Sequence, residues 1–162
     1  MLKIISGGQT GVDRAALDVA LAHRTECGGW CPAGRRDEYG RIPAHYPLQE
    51  MEHGGFTERT LQNVTDADGT VIIYFDTLGG GSEQTFRFCV EQKRPHKLIN
   101  GAEVSAECAA EMISQFVRKQ KIETLNVAGP RESQCAGGYE YASRALDLFL
   151  SAEGHTEARP SE

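Results

Sequence analysis

The sequence of 162 residues is short of features that would assign it at once to a familiar class of protein. No apolar run approaches the roughly 20 residues that cross a bilayer, and no leader-like segment follows Met1, so we predict a cytoplasmic protein without a membrane partner. The five cysteines are odd in number and lack Cys-x-x-Cys spacing, which argues against a disulfide framework. The net charge of −6 disfavours nucleic acid as a partner.

Several functional motifs are also missing. The glycines near the N-terminus stand at positions 7, 8 and 11, which is not the spacing of the dinucleotide fingerprint. No Gly-Lys-Ser/Thr completes a triphosphate-binding loop, and no Gly-x-Ser-x-Gly marks a serine hydrolase. The histidines show no metal-ligand spacing. The sequence therefore assigns no catalytic residue, and it leaves open whether any residue binds a metal.

The order of local patterns predicts a single α/β domain over residues 1–151, followed by a polar, disordered tail over 152–162. Short apolar runs alternate with helical patterns, and the clearest run is the β-branched and aromatic segment 70–75. This alternation indicates a Rossmann-like three-layer fold, with helices on both faces of a mostly parallel sheet. The predicted helices cover about 12–23, 57–67, 82–92, 105–119 and 139–150, and Cys27-Gly28-Gly29 is expected to end the first of them.

Three glycine-rich turns follow predicted strands, at 7–11, 76–82 and 129–138. Turns that follow parallel strands meet at the carboxyl edge of the sheet, where ligands bind. Each turn also carries a hydroxyl group, and the first leads into a helix that we expect Thr10 and Asp13 to cap. Because a helix N-terminus attracts anions, the turns predict an extended anion-binding groove. The alternative is that the first turn is a tight connection with no ligand.

Arginines near these turns would add positive charge, since a guanidinium grips phosphate through paired hydrogen bonds. Arg35 and Arg36 lie in a long irregular loop over 33–47, where Asp37 and Glu38 also allow a solvated basic loop. Cys135 is either a thiol close to the ligand or a simple loop residue. The predicted ligand-binding residues are Gly7, Gly8, Gln9, Thr10, Gly11, Arg14, Arg35, Arg36, Gly79, Gly80, Gly81, Ser82, Gly129, Arg131 and Ser133.

Several segments together resemble the molybdenum cofactor carrier family. The longest is SGGQTGVDRAAL at 6–17, and the others lie at 28–32, 34–36, 40–43, 46–48, 59–60, 63–64, 66–70 and 126–133. The resemblance implies a Rossmann-like fold related to that of lonely-guy-type phosphoribohydrolases. It also implies binding, protection and transfer of molybdenum cofactor, which is a phosphorylated pterin dithiolene that holds an oxo-metal.

The partners that follow are a phosphorylated pterin or nucleotide-like small molecule and proteins of cofactor synthesis or molybdoenzymes, and we expect a homo-oligomer. Two alternatives stay open: a nucleotide or phosphoribosyl hydrolase of the lonely-guy type, and a nucleotide-sensing module. The segment 78–85 resembles the hydrolases' Pro-Gly-Gly-x-Gly-Thr motif only loosely. The two acids that follow in those enzymes are here Thr85 and Phe86, and Glu83 could replace them only after a shift of register. This departure favours a carrier over an enzyme.

Overall fold

A computed structural model describes the backbone of residues 1–157 and the side chains of residues 1–154. The elements alternate between strand and helix over most of the chain. In order they are β1 (Lys3–Ile5), α1 (Val12–Ala22), β2 (Glu26–Gly28), β3 (Trp30–Cys31), β4 (Arg36–Asp37), β5 (Gly40–Arg41), β6 (Gln49–Glu50), α2 (Phe56–Asp66), β7 (Gly69–Tyr74), α3 (Gly80–Glu91), β8 (His96–Asn100), α4 (Ala106–Gln120), β9 (Thr124–Ala128) and α5 (Gly138–Glu157).

The central sheet is parallel throughout the described residues and has the strand order β2-β1-β9-β7-β8. Ile4 of β1 pairs with Leu125 of β9, and Ile72 of β7 pairs with Ala128 of β9. The continuous apolar run of β7 is buried because helices cover both faces of the sheet. The predicted Rossmann-like three-layer fold is confirmed.

Alternate residues of β7 enter different layers of the core. Val71 and Ile73 pack with residues of α1, α4 and α5 on one face of the sheet. Ile72 packs on the other face with Val64 of α2 and Cys89 of α3. The thicker layer therefore lies on the side of α1, α4 and α5.

The long loop after β3 packs against α1 instead of standing free. Ile42 and Tyr46 bury their side chains with Leu17 of α1 and with Cys31. Within this loop β4 and β5 form a short antiparallel hairpin, residues 36–41, which we call the hairpin. The packing brings the hairpin beside the turn between β1 and α1.

Three local predictions are wrong. Gly11, not Thr10, is the N-cap of α1, and no side chain caps this helix. Cys27 and Gly28 do not end α1 but belong to β2, whose three residues are too few to show a periodic pattern. The last helix continues beyond Leu150 to Glu157. The predicted tail thus begins within α5, and residues 158–162 lie outside the described residues. Among the helices described, none has the length and apolar character needed to span a membrane.

Candidate functional site

The carboxyl ends of β1, β9 and β7 lie side by side in the middle of the sheet. The three glycine-rich turns follow these strands and surround a pocket, which we call the anion pocket. Helix α2, which lies on the same face of the sheet as α3, closes one side of this pocket. The lining residues are Gln9, Asp13, Phe56, Arg59, Thr60, Gly81, Ser82, Gln84, Thr85, Ala128, Gly129, Arg131 and Gln134.

The first turn is filled by the chain itself. The backbone N–H of Gln9 donates to the Asp13 carboxylate at 3.3 Å, and the N–H of Val12 donates to the carbonyl of Pro130 at 3.2 Å. The side chain of Asp13 is buried at the N-terminus of α1. A carboxylate of the protein therefore occupies the place that the sequence suggested for a phosphate group.

The glycines of this turn allow close approach of other parts of the chain. A Cβ on Gly7 would collide with the guanidinium of Arg59. A Cβ on Gly11 would collide with the carbonyl oxygen of Pro130, and Gly11 also has a left-handed φ of 79°. Gly8 likewise lies under a leucine side chain of the long loop, Leu48.

The hydroxyls of the first and third turns hold a carboxylate of the hairpin. Thr10 Oγ1 and Ser133 Oγ both donate to Glu38, and the backbone N–H of Ser133 donates to it at 3.2 Å. Partial burial opposes ionisation of Glu38, but these donors prevail and lower its pKa. Glu38 therefore ties the hairpin to both turns.

The predicted arginines of the long loop and of α1 do not line the anion pocket. Arg14 donates to the carbonyl of Gly8 and to Asp37, at 3.0 Å in each case. Arg35 donates to four backbone carbonyls of its own loop, and the exposed Arg36 donates to another. These side chains hold the loop in its conformation.

The second turn is open. Gly79 is the N-cap of α3, and no side chain caps this helix. A Cβ on Gly79 or on Gly81 would meet no atom of the described residues within 4 Å. Gly81 and Ser82 line the anion pocket, so the first N–H groups of α3 lie at its wall. The N-terminus of this helix, unlike that of α1, is available to an anion.

Two arginines supply positive charge to the anion pocket. The guanidinium of Arg131 lies 4.5 Å from the ring centroid of Phe56, and that of Arg59 lies 5.9 Å from the same ring. Arg59 forms a buried ion pair with Asp13 at 3.5 Å. Burial lowers the pKa of Arg59 and raises the pKa of Asp13, and each partner opposes the shift of the other.

Two buried polar atoms at the pocket have no hydrogen-bond partner among the described residues. They are Oε1 of Gln9 and Nε of Arg59. Gln9 is only 2% exposed, and its amide nitrogen donates to the carbonyl of Arg36 at 2.8 Å. Because buried polar groups are nearly always paired, these two atoms indicate a place where a ligand or water completes the site.

The residues that sequence reasoning missed come mainly from α2. Arg59 and Thr60 were part of the family resemblance, but no role was assigned to them. The sequence carried a signal, because Thr60, Asn63 and Val64 stand at the spacing of one helix face, and the structure buries all three. Buried polar residues on one helix face are uncommon and often serve a site. Among the described residues, no group of three or more His, Cys, Asp or Glu side chains is placed to hold a metal ion.

The comparisons with known proteins agree with this architecture. Residues 4–150 match the model of the circularly permutated YpsA SLOG family. A crystal structure from Syntrophus aciditrophicus SB, of a protein described as a "putative molybdenum carrier protein", is 45% identical in sequence to this chain. The match has a TM-score of 0.90 and covers 93% of this chain and 95% of that chain. No curated protein sequence is significantly similar.

Proposed function

The chain belongs to the circularly permutated YpsA SLOG family, and on this premise we propose that it binds molybdenum cofactor and passes it intact to a recipient protein. The observation that carries the proposal is the anion pocket, where Arg59 and Arg131 face the uncapped N-terminus of α3. The name of the structural neighbour from Syntrophus aciditrophicus SB supports the choice of ligand.

The phosphate of the cofactor would lie between α3 and Arg131. The N–H groups of Gly81 and Ser82 can donate to phosphate oxygens, and the positive end of the α3 dipole favours a negative charge there. Arg131 forms no ion pair within the described side chains, so its charge is available to the ligand. Arg59 contributes less net charge because Asp13 partly neutralises it.

Non-covalent binding in a groove would explain protection followed by release. A ligand covered by protein is shielded from water and oxygen, and it can still leave because no bond to the chain must break. The experiment is to add molybdenum cofactor to the purified chain in air and to follow its survival. Transfer is then measured as the activity that a cofactor-free molybdoenzyme regains.

We expect longer cofactor survival than with an inert protein of similar size and net charge. The matched variant is Arg131→Gln, which removes the free charge of the pocket and should shorten the protection. Cys135→Ser separates the two interpretations of that thiol, because an unchanged lifetime and transfer would exclude it as a holder of the metal. Protection no better than that of the inert protein contradicts the assignment to molybdenum cofactor.

One observation favours a second candidate, hydrolysis of a nucleotide or phosphoribosyl compound. Asp13 lines the anion pocket, and burial raises its pKa, which suits a carboxyl group that exchanges protons with a substrate. A cavity of about 10 Å³ beside Asp13 and Arg59 is close to the volume that one water needs. Glu83, by contrast, pairs with Arg87 at 2.8 Å on the surface.

The two candidates are separated by incubating the chain with AMP and with isopentenyl-AMP and measuring free base by chromatography. A carrier releases none above the rate of a blank. Repeated turnover that disappears in Asp13→Asn would establish the hydrolase and identify its carboxylate. Turnover that survives in Asp13→Asn would exclude Asp13 as the catalytic carboxylate.

A further inference from the structure

We infer that one proton lies between Asp13 and the anion in the anion pocket, so that the site selects tetrahedral anions that carry a hydroxyl group over those that do not. The inference rests on the proposed phosphate binding. It concerns the protonation of the bound anion and not the organic group attached to it. Asp13, which lines the pocket, thereby becomes the residue that determines specificity among anions of equal charge.

The protein engages only one of the two carboxylate oxygens of Asp13. Oδ2 accepts a hydrogen bond from the backbone N–H of Gln9 at 3.3 Å and lies 3.5 Å from Nη1 of Arg59. Oδ1 accepts no hydrogen bond from the described residues. Because Asp13 is only 4% exposed and lines the anion pocket, a group inside the pocket is the expected partner of this oxygen.

A second acceptor on the pocket wall is also without a donor. Oε1 of the buried Gln9 has no hydrogen-bond partner among the described residues. An anion oxygen that carries no proton is itself an acceptor, so it cannot pair with Oδ1 of Asp13 or with Oε1 of Gln9. A hydroxyl group on the anion can, because it donates.

The charges in the pocket lead to the same arrangement. The pocket has a volume of about 140 Å³, so an anion held by Arg131 and the N-terminus of α3 lies close to Asp13. Arg131 acts on both groups, because its charge also favours the ionised form of Asp13. A carboxylate and an anion at close range repel each other, and a proton shared between them removes the repulsion.

The proton must be exchanged by Asp13 or by the anion. Asp13 is the one carboxyl group among the described residues that line the pocket. The charged groups that act on it are Arg59 of α2, Arg131 of the third turn and Arg14 of its own helix, and guanidinium groups remain protonated in proteins. Burial raises the pKa of Asp13 against the effect of these groups and of the N–H of Gln9, and a bound anion would raise it further.

Anions of the same charge and shape should therefore bind differently. Hydrogenphosphate brings its own proton, whereas the dianions of sulfate and monofluorophosphate have no hydroxyl group and gain one proton from the solvent only through Asp13. A phosphate monoester is largely without a hydroxyl above roughly pH 6. Such a ligand would take up a proton when it binds and give it back to the solvent when it leaves.

The test is isothermal titration calorimetry of the full chain at mildly alkaline pH with hydrogenphosphate, monofluorophosphate and sulfate at matched ionic strength. We expect the parent to bind hydrogenphosphate about tenfold or more tightly than the other two anions, which is the range of one hydrogen bond to a charged group. Titrations in two buffers that differ in ionisation enthalpy count the protons. Sulfate and monofluorophosphate should take up more protons per bound anion than hydrogenphosphate does.

Two variants identify the residue responsible. Asp13→Asn keeps the shape of the side chain and offers both a donor and an acceptor, so it should bind the three anions within about twofold of one another. Glu83→Gln is the matched control, because Glu83 lies in the first turn of α3 and pairs with Arg87 outside the pocket. It should change all three affinities by the same factor. If Asp13→Asn does not fold, the proton count on the parent decides.

The outcomes distinguish the inference from the function on which it rests. Equal affinity of the parent for the three anions overturns the shared proton and leaves the phosphate site intact. A preference that persists in Asp13→Asn, or equal proton uptake with all three anions, also overturns it. The expected preference together with a failure to protect molybdenum cofactor supports the inference and contradicts the proposed cargo, and a parent that binds none of the anions contradicts both.

Discussion

At the residue scale, the charge of the anion pocket depends on Asp13, Arg59 and Arg131. Asp13 and Arg59 form a buried pair and largely cancel each other. Arg131 rests on the ring of Phe56 without such a partner, so it supplies most of the net positive charge. Substitution of Arg131 should therefore change the affinity for an anion most, and substitution of Asp13 should change it next.

Replacing Arg131 by glutamine should weaken the binding of sulfate, a phosphate-like dianion. A charge-assisted hydrogen bond in a desolvated pocket contributes on the order of 1.5–3 kcal/mol, which corresponds to roughly 10- to 150-fold in affinity. Calorimetry measures the change, and the exposed Arg118→Gln on α4 is the matched control. Affinity within twofold of the parent would show that Arg131 does not contact the anion.

Sulfate affinity should rise as the pH falls through the raised pKa of Asp13. Protonation removes a negative charge from the pocket, whereas sulfate keeps its own charge across the neutral and mildly acidic range. Burial is the main cause of the raised pKa, and the charge of Arg59 opposes it. At neutral pH, Asp13→Asn should bind sulfate about tenfold more tightly than the parent.

The same variant should show little pH dependence of binding over that range. Titrations at several pH values, with thermal unfolding to confirm that Asp13→Asn is folded, supply the comparison. A parent protein that binds sulfate as tightly as Asp13→Asn at every pH would contradict the placement of Asp13 beside the anion.

At the element scale, the hairpin closes the first turn while α3 leaves the second turn open. Glu38 of the hairpin accepts hydrogen bonds from Thr10 of the first turn and from Ser133 of the third turn. The backbone N–H of Glu132 also donates to Thr10 Oγ1 at 3.2 Å, although these two residues are 122 positions apart in the sequence. The N-terminus of α1 is filled by Asp13, and the N-terminus of α3 has no side-chain cap. Ligand binding is thus expected at α3.

Replacing Glu38 by glutamine should lower the free energy of unfolding by about 1–2 kcal/mol at neutral pH, because hydrogen bonds from Thr10 and Ser133 lose a charged acceptor. The pKa of Glu38 is below its usual value in the folded protein. Its contribution is therefore present at neutral pH and is lost as the pH falls through the lowered pKa.

Urea unfolding at several pH values measures this effect. The difference between the parent and Glu38→Gln should shrink in acid, and Glu132→Gln, a neighbour of Ser133 in the third turn, is the control. A difference that stays constant down to acid pH would show that the carboxylate charge of Glu38 does not stabilise the turns.

Replacing Gly11 by alanine should destabilise the fold by about 2 kcal/mol or more. The residue has a φ of 79°, and a Cβ there would collide with the carbonyl oxygen of Pro130. Gly81→Ala is the matched control, because its Cβ enters open space in the first turn of α3. Equal stability of the two variants by urea unfolding would refute the close contact of the first and third turns.

At the scale of the whole molecule, the largest part of the core lies behind the site, between the sheet and the layer of α1, α4 and α5. The anion pocket lies at the edge, on turns that follow the strands. Stability and ligand affinity should therefore respond to different substitutions.

Replacing the buried Leu146 of α5 by alanine should lower the free energy of unfolding by about 2–5 kcal/mol. For a domain of this size the Tm should fall by roughly 5–15 °C. The affinity of the folded protein for sulfate should stay within about twofold of the parent, since Leu146 does not line the anion pocket. Leu21→Ala is the control because Leu21 is 40% exposed, and a large loss of affinity in Leu146→Ala alone would couple the core to the site.

The sequence by itself determined the fold class and the edge of the sheet at which the candidate site lies. The apolar run of β7 and the alternation of strands with helices depend on neighbouring residues, so local periodicity was enough to predict them. A parallel sheet then brings the turns at 7–11, 76–82 and 129–138 to one edge. Arg131 was predicted for the same reason, because it follows the strand β9 directly.

Only the tertiary structure decided which of these turns is open to a ligand. Asp13 meets Arg59 of α2, and Glu38 meets Ser133 across 95 residues of sequence. No local pattern determines such contacts, because they arise when separate elements pack against the sheet. The same packing turned Arg14 and Arg35 toward backbone carbonyls and left the N-terminus of α3 uncapped beside Arg131.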